Sequence, residues 1–127
     1  MNTPNELKYA TTHEWVRLES DGTATLGITD FAQHELGDVV YLELPDEGRA
    51  LIADEPFGTV ESVKAVSDLV APLNGEVVKV NTELVDAPEA INTDPYGCWM
   101  VVVKLDNPAE ADALMSAEQY VAFTEEG

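Results

Sequence analysis

The stretch Phe57-Gly58-Thr59-Val60-Glu61-Ser62-Val63-Lys64-Ala65-Val66-Ser67-Asp68-Leu69-Val70-Ala71-Pro72-Leu73-Asn74-Gly75 decides how this chain is read. Two short runs, 57–62 and 65–71, are rich in Val, Thr or Leu and flank the lysine. Both are bounded by residues that interrupt strand pairing: Gly58 stands six positions before Lys64, Pro72 eight after it and Gly75 eleven after it. Runs of this kind predict two antiparallel strands whose connection exposes Lys64 at its tip. An isolated lysine in a turn is ordinarily only a solvated charge. Here the two bounded arms around it point to a side chain put on display.

Working outward toward the N-terminus, Asp38 to Leu44 alternates Val39, Tyr41 and Glu43 against Val40, Leu42 and Leu44, the pattern of a strand, and Pro45 to Gly48 turns the chain. Arg49 to Ala53 predicts another short strand. Before them, Thr29 is suited to cap a helix running to Leu36, with Phe31, Ala32 and Leu36 toward the core and Gly37 ending it in a left-handed conformation. His13 to Leu18 and Thr23 to Ile28, separated by Ser20-Asp21-Gly22, predict a hairpin.

Toward the C-terminus, Gly75 to Val80 predicts a strand, Asn81 to Gly97 a polar surface loop, and Trp99 to Leu105 a closing strand. Asn107-Pro108 supplies a cap and a residue fitted to a first helical position, so Ala109 to Met115 is expected to be helical. Ser116 and Gln119 form a capping box for a second helix over Ala117 to Phe123. Several short strands with these helices predict a mainly β barrel or sandwich.

The 127 residues, 45% hydrophobic, suffice for one domain spanning 1–127. A formal net charge of -19, from 25 acidic against 6 basic residues, makes nucleic acid and anionic membrane surfaces unfavourable partners. The N-terminal residues hold no apolar segment of signal-peptide length, and Trp99 to Val103 is too short to span a bilayer. Cys98 is the single cysteine, which fits a reducing compartment.

Catalytic constellations are not evident. His13 and His34 lack the spacing of a metal-binding helix pair and read as structural or solvated, and Cys98 reads as a small buried residue beside Trp99. The many carboxylates single out no acid–base pair, and strand position alone leaves Glu14 and Glu61 as solvated carboxylates.

Blocks along nearly the whole chain resemble the glycine cleavage system H proteins. These are Tyr9 with His13-Glu14-Trp15-Val16, Gly27-Ile28-Thr29-Asp30, Leu36-Gly37-Asp38, and Leu42-Glu43-Leu44-Pro45. The most specific is Val60-Glu61-Ser62-Val63-Lys64-Ala65 with Ser67-Asp68, followed by Gly75-Glu76-Val77, Ile91-Asn92, Pro95-Tyr96 and Trp99-Met100. Two positions depart from the pattern: Asn74 stands where serine is usual, and only Gly97 and Cys98 separate Pro95-Tyr96 from Trp99. Val63 and Ala65 around the lysine distinguish it from biotinyl carriers, with flanking methionines, and from 2-oxoacid dehydrogenase lipoyl domains, with a preceding Asp.

The resemblance implies a barrel-sandwich hybrid with a short internal helix and C-terminal helices, acting as a monomeric, non-catalytic carrier with lipoic acid in amide linkage to Lys64. It implies glycine decarboxylase, a folate-dependent aminomethyltransferase and dihydrolipoyl dehydrogenase as partners, between which an aminomethyl group is shuttled, and a lipoate-attaching enzyme that reads Glu61. It implies a cytoplasmic protein of a bacterium or archaeon, or a mature mitochondrial form. A cleft is expected to shelter the loaded arm, with Glu14 pairing the amine, Asp68 and Thr12 assisting, and Leu36 helping to exclude water. The other readings left open are an H-like carrier and an unlipoylated interaction protein with a role outside glycine cleavage.

Overall fold

Antiparallel pairing builds most of the chain, much of it between segments distant in sequence. In the computed structural model, which describes residues 3–126, β2 (Glu14–Leu18) and β3 (Thr23–Ile28) form the expected hairpin. The Asp21 carboxylate closes its turn by accepting the Thr23 backbone N–H at 3.1 Å and hydroxyl at 2.6 Å. A two-residue strand β1 (Lys8–Tyr9), which the sequence pattern did not reveal, pairs with β2. On the other side β3 pairs with β9 (Val101–Leu105), β9 with β8 (Gly75–Val80), and β8 with β5 (Ala50–Leu51). The second sheet holds β4 (Val39–Glu43), β6 (Pro56–Ser62) and β7 (Val66–Val70), in the order β4-β6-β7.

The two sheets face one another across an apolar core that includes Leu26, Leu42, Val60, Leu69, Val77 and Val101. This is the expected barrel-sandwich hybrid. A second cluster, Leu7, Tyr9, Trp15, Ala117 and Tyr120, fastens the C-terminal helix α4 (Ala117–Glu126) to β1 and β2. Cross-strand register explains Gly27: it faces Trp15, and a Cβ there would stand 2.5 Å from the indole, whose N–H donates to the Pro95 carbonyl at 3.1 Å.

Several expectations are corrected. The alternation over 38–44 is broken by a bulge between Val39 and Tyr41, so that Val39 and Leu42 are both buried while Val40 and Tyr41 face outward. The stretch 81–97 is not a surface loop throughout. It holds α2 (Thr82–Asp86) and α3 (Ala90–Thr93), which bury Leu84 and Ile91 and so draw the segment against the core. Strand β9 begins at Val101 rather than Trp99, and 49–53 pairs only at Ala50–Leu51.

After Asn107, whose side chain caps the turn by accepting the Ala109 N–H at 3.2 Å, Pro108–Ala113 winds as a tighter 3₁₀ helix. The capping box before α4 forms reciprocally: Ser116 N–H donates to the Gln119 side chain at 2.9 Å and Gln119 N–H to the Ser116 hydroxyl at 3.2 Å. Among the described residues no helix is long and apolar enough to cross a membrane.

Candidate attachment site and cleft

The β6–β7 hairpin places Lys64 at the centre of its connection, Val63-Lys64-Ala65, with Glu61 opposite Val66 in the ladder. Short hairpin connections commonly use a residue at positive φ, which none of these three adopts. Ser62 supplies what that geometry leaves missing. Its N–H donates to the Ala65 carbonyl at 2.8 Å, while its hydroxyl oxygen accepts the N–H groups of Ala65 at 3.0 Å and Lys64 at 3.3 Å. A further bond, Val63 N–H to the Asp38 carbonyl at 3.0 Å, moors the tip to the start of β4.

Beneath the tip lies the end of α1 (Asp30–Leu36), capped as expected by Thr29, whose hydroxyl accepts the Ala32 N–H. Gly37 takes φ 81°, ψ −155°, a region essentially reserved for glycine and different in ψ from an ordinary left-handed cap. The Lys64 stem lies over it: a Cβ on Gly37 would come 3.4 Å from Lys64 Cε. Asn92, on α3, underpins the junction. Its amide donates to the Gly37 carbonyl at 2.8 Å and the Gln33 side chain at 3.0 Å, and its oxygen accepts the Val39 N–H at 2.8 Å. Lys64 is therefore a mobile type of side chain on a tightly tied tip.

Beside the tip runs a cleft of about 550 Å³, a volume within the range of small-molecule sites. One wall is Ala65 to Leu69 of the hairpin, the facing wall is α1 with Ala32 and Leu36, and Glu14 lies at its floor. Thr12 and Asp68 also line it, so the cleft brings together Glu14, Asp68, Thr12 and Leu36, which are far apart in sequence. Glu61 does not join them; it stands on β6 between Tyr41 and Val66, outside the cleft.

Glu14 is the unusual member. It is only 2% exposed, so the solvated-strand reading fails. Its carboxylate accepts the Thr12 hydroxyl in a short hydrogen bond and the Val70 N–H at 3.2 Å. Burial pushes the carboxyl up from its ordinary 4.5 to about 7, against the pull of those two donors. The charged groups around the cleft are Glu14, Glu35 and Asp68, with His13 the one basic ring. Burial lowers the His13 value despite the nearby Glu35 carboxylate, which favours the neutral ring. Such a cleft, apolar along its walls and acidic at its floor and rim, suits a ligand with an apolar stem and a cationic end.

His34 is exposed on α1, consistent with a solvated residue, whereas Cys98 is only half-buried rather than buried as expected, its thiol pushed up by burial and by Asp94. Asn74, the departure from serine, bridges loops: it accepts the Ala53 N–H at 2.9 Å and donates to Glu110 at 2.7 Å. Sequence reasoning missed Phe123 and Thr124 of α4, which line the cleft, and the buttress Asn92. The one available signal for Phe123 was its spacing of three from Tyr120 on one helix face.

Residues 7–127 match the model of the glycine cleavage H-protein family. The chain belongs to that family. A glycine cleavage system H protein of Psychrobacter sp. (strain PRwf-1) is 58% identical over 122 residues, covering 95% of this chain and 97% of its own. One from Geobacillus sp. (strain WCH70) is 56% identical with both chains fully covered, at 100% of each. The crystal structure of the glycine cleavage system H protein from Mycobacterium marinum superposes with a TM-score of 0.89 at 40% identity, covering 96% of this chain and 98% of that one. The family's barrel-sandwich architecture is thus shared over almost the full length.

Proposed function

We propose that Lys64 carries lipoic acid in amide linkage and that the chain, acting as one unit, is a non-catalytic shuttle of the glycine cleavage system. The observation that carries this reading is the juxtaposition of an exposed lysine on a tied hairpin tip with a cleft that starts beside it and ends at a buried carboxylate. When attached to Lys64, a lipoyl group would supply a reducible disulfide able to carry an aminomethyl group between glycine decarboxylase and aminomethyltransferase, with dihydrolipoyl dehydrogenase restoring it. The residues present fit such an arm: apolar Ala32, Leu36 and Leu69 along its length, and Glu14 where a cationic end would rest.

The chain's own contribution is presentation and shelter. Ser62 and Asn92 hold the tip rigid, so that a tethered group reaches each partner at high local concentration without tight binding. Glu14, held by Thr12 and the Val70 N–H, pairs with an ammonium and keeps it protonated, which withholds the lone pair needed to expel a thiolate. Asp68 at the rim adds negative potential, and Leu36 excludes water. Glu61, which does not line the cleft, faces the lipoate-attaching enzyme. The bacterial relatives support a bacterial cytoplasmic setting.

Intact mass and peptide mapping of the protein co-expressed with a lipoate-attaching enzyme test this directly. The expected result is one lipoyl increment on Lys64, lost in Lys64→Arg. A lipoyl increment on Lys64→Arg, or none on the unaltered chain, would overturn the assignment.

A further inference from the structure

Helix α4 divides into an anchored part and an unanchored part. At the anchored part Ala117 and Tyr120 are buried, and the Tyr120 ring stacks on Tyr9 with centroids 4.7 Å apart. The Tyr120 hydroxyl meets His13 Nδ1 at 2.7 Å and the Thr29 hydroxyl at 2.8 Å. It therefore joins α4 to the two segments that border the cleft, the turn leading into Glu14 and the cap of α1. The backbone repeats the connection, Thr29 N–H donating to the His13 carbonyl at 3.1 Å.

One turn further on, Phe123 and Thr124 reach the cleft, and the Phe123 ring lies 6.0 Å from the His13 ring, centroid to centroid. Phe123 is 37% exposed and belongs to neither buried cluster. The core therefore does not account for an aromatic residue at this position, whereas a cleft rim does. His13 itself is held at φ 74°, a conformation unfavourable for a residue with a Cβ, and its ring is inserted among Phe31, Tyr120 and Phe123.

We propose that Phe123 is a docking residue for the lipoyl arm, the outer apolar wall of the cleft, and that Tyr120 is its positioning residue, setting that wall through His13 and Thr29. This rests on the cleft being the shelter of the arm. Truncating Phe123 opens the rim to water and leaves Glu14, Thr12 and the hairpin in place. Removing only the Tyr120 hydroxyl keeps the stacked ring but frees α4 from the turn before Glu14.

The test uses the lipoylated full chain, isolated from unlipoylated protein and loaded with the aminomethyl group by glycine decarboxylase. Nuclear Overhauser contacts between arm methylene protons and the Phe123 ring are the direct readout. Ammonia release without the folate enzyme is the second: water displaces the carbon from sulfur, the thiol re-forms, and formaldehyde and ammonia leave. Phe123→Ala is expected to speed release about fivefold, the scale of one lost aromatic contact, and Tyr120→Phe less. Phe123→Leu, which keeps an apolar wall, is expected to restore most of the retention.

Contacts from the arm to Leu36 and Val66 but none to Phe123, with unchanged release in Phe123→Ala while Glu14→Ala is fast, would overturn the wall and leave the docking cleft standing. Absence of arm contacts to every cleft residue, with slow release in Glu14→Ala, would remove the docking cleft and the wall with it.

Discussion

Replacing Glu14 by Gln is expected to make the unlipoylated chain more stable at alkaline pH, although it alters a residue central to the proposed site. The reason is burial. A carboxyl at 2% exposure whose value is raised to about 7 holds its proton more tightly folded than unfolded, where 4.5 applies. Between those two values the native chain binds more protons than the unfolded chain, so stability falls as pH rises through the window and is level on either side. At about 1.4 kcal/mol for each tenfold difference in proton affinity, the loss across the window is about 3 kcal/mol.

Gln cannot ionise and removes that slope. It also has one acceptor oxygen where the carboxylate used two, for the Thr12 hydroxyl and the Val70 N–H, which costs about 1 kcal/mol. The net expectation is a variant more stable by about 2 kcal/mol near pH 8 and slightly less stable near pH 5. Urea unfolding of both proteins checks this, and only their difference matters, because the other carboxylates titrate alike in both. Measurements stay above about pH 5, since the isoelectric point near 4.1 invites aggregation. A difference that does not change with pH, or a variant less stable at pH 8, refutes the argument that burial governs Glu14.

Three further outcomes follow from the hairpin and its support. Ser62→Ala removes the acceptor shared by the Lys64 and Ala65 N–H groups, and is expected to cost about 1–2 kcal/mol and to speed amide hydrogen exchange at those two positions, while unchanged protection there would refute the role given to the hydroxyl. Asn92→Ala breaks three hydrogen bonds at the junction under Lys64 and is expected to lower the melting temperature by roughly 10 °C; a loss under about 2 °C would mean that the junction is held otherwise. Glu61→Ala is expected to slow lipoylation by a purified lipoate-attaching enzyme with no change in melting temperature, and a normal rate would end its recognition role.

What the sequence made legible was what depends on near neighbours. The hairpin around Lys64, the Thr29 cap, the Asp21 turn and the Ser116–Gln119 box each involve residues within a few positions of one another, so spacing and side-chain type identify them. Where two periodicities or a distant partner decide, spacing fails. The alternation over β4 gave no warning of the bulge at Val39, because a bulge serves the burial of both Val39 and Leu42, a fact of the packed sheet. Likewise 81–97 is polar enough to read as loop, yet Leu84 and Ile91 are packed in the core beside the paired β8 and β9. Glu14 occupies a strand position that looks solvated until β7 and α1 close over it. The family resemblance named Glu14, Asp68, Thr12 and Leu36; only the fold brings them to one cleft, and it adds Phe123.

A shuttle must keep its cargo between partners and surrender it at each of them, which limits how strongly a cleft can hold. A carboxylate kept fully ionised in a dry floor would leave an uncompensated charge whenever the arm is away. A carboxyl raised to about 7 lessens this: near neutral pH it is partly protonated when the cleft holds no cation, and a nearby ammonium would favour its ionised form. In the proposed site the attraction is therefore stronger for a cationic occupant than for a neutral dithiol end, which meets a floor carrying only part of a charge. On the proposed function, the proton on Glu14 would help to distinguish loaded from unloaded arms, with Thr12 and the Val70 N–H keeping its ionisation within reach of neutral pH. Were those two donors absent, burial would carry the carboxyl higher, and the floor would ionise less readily beneath a cation.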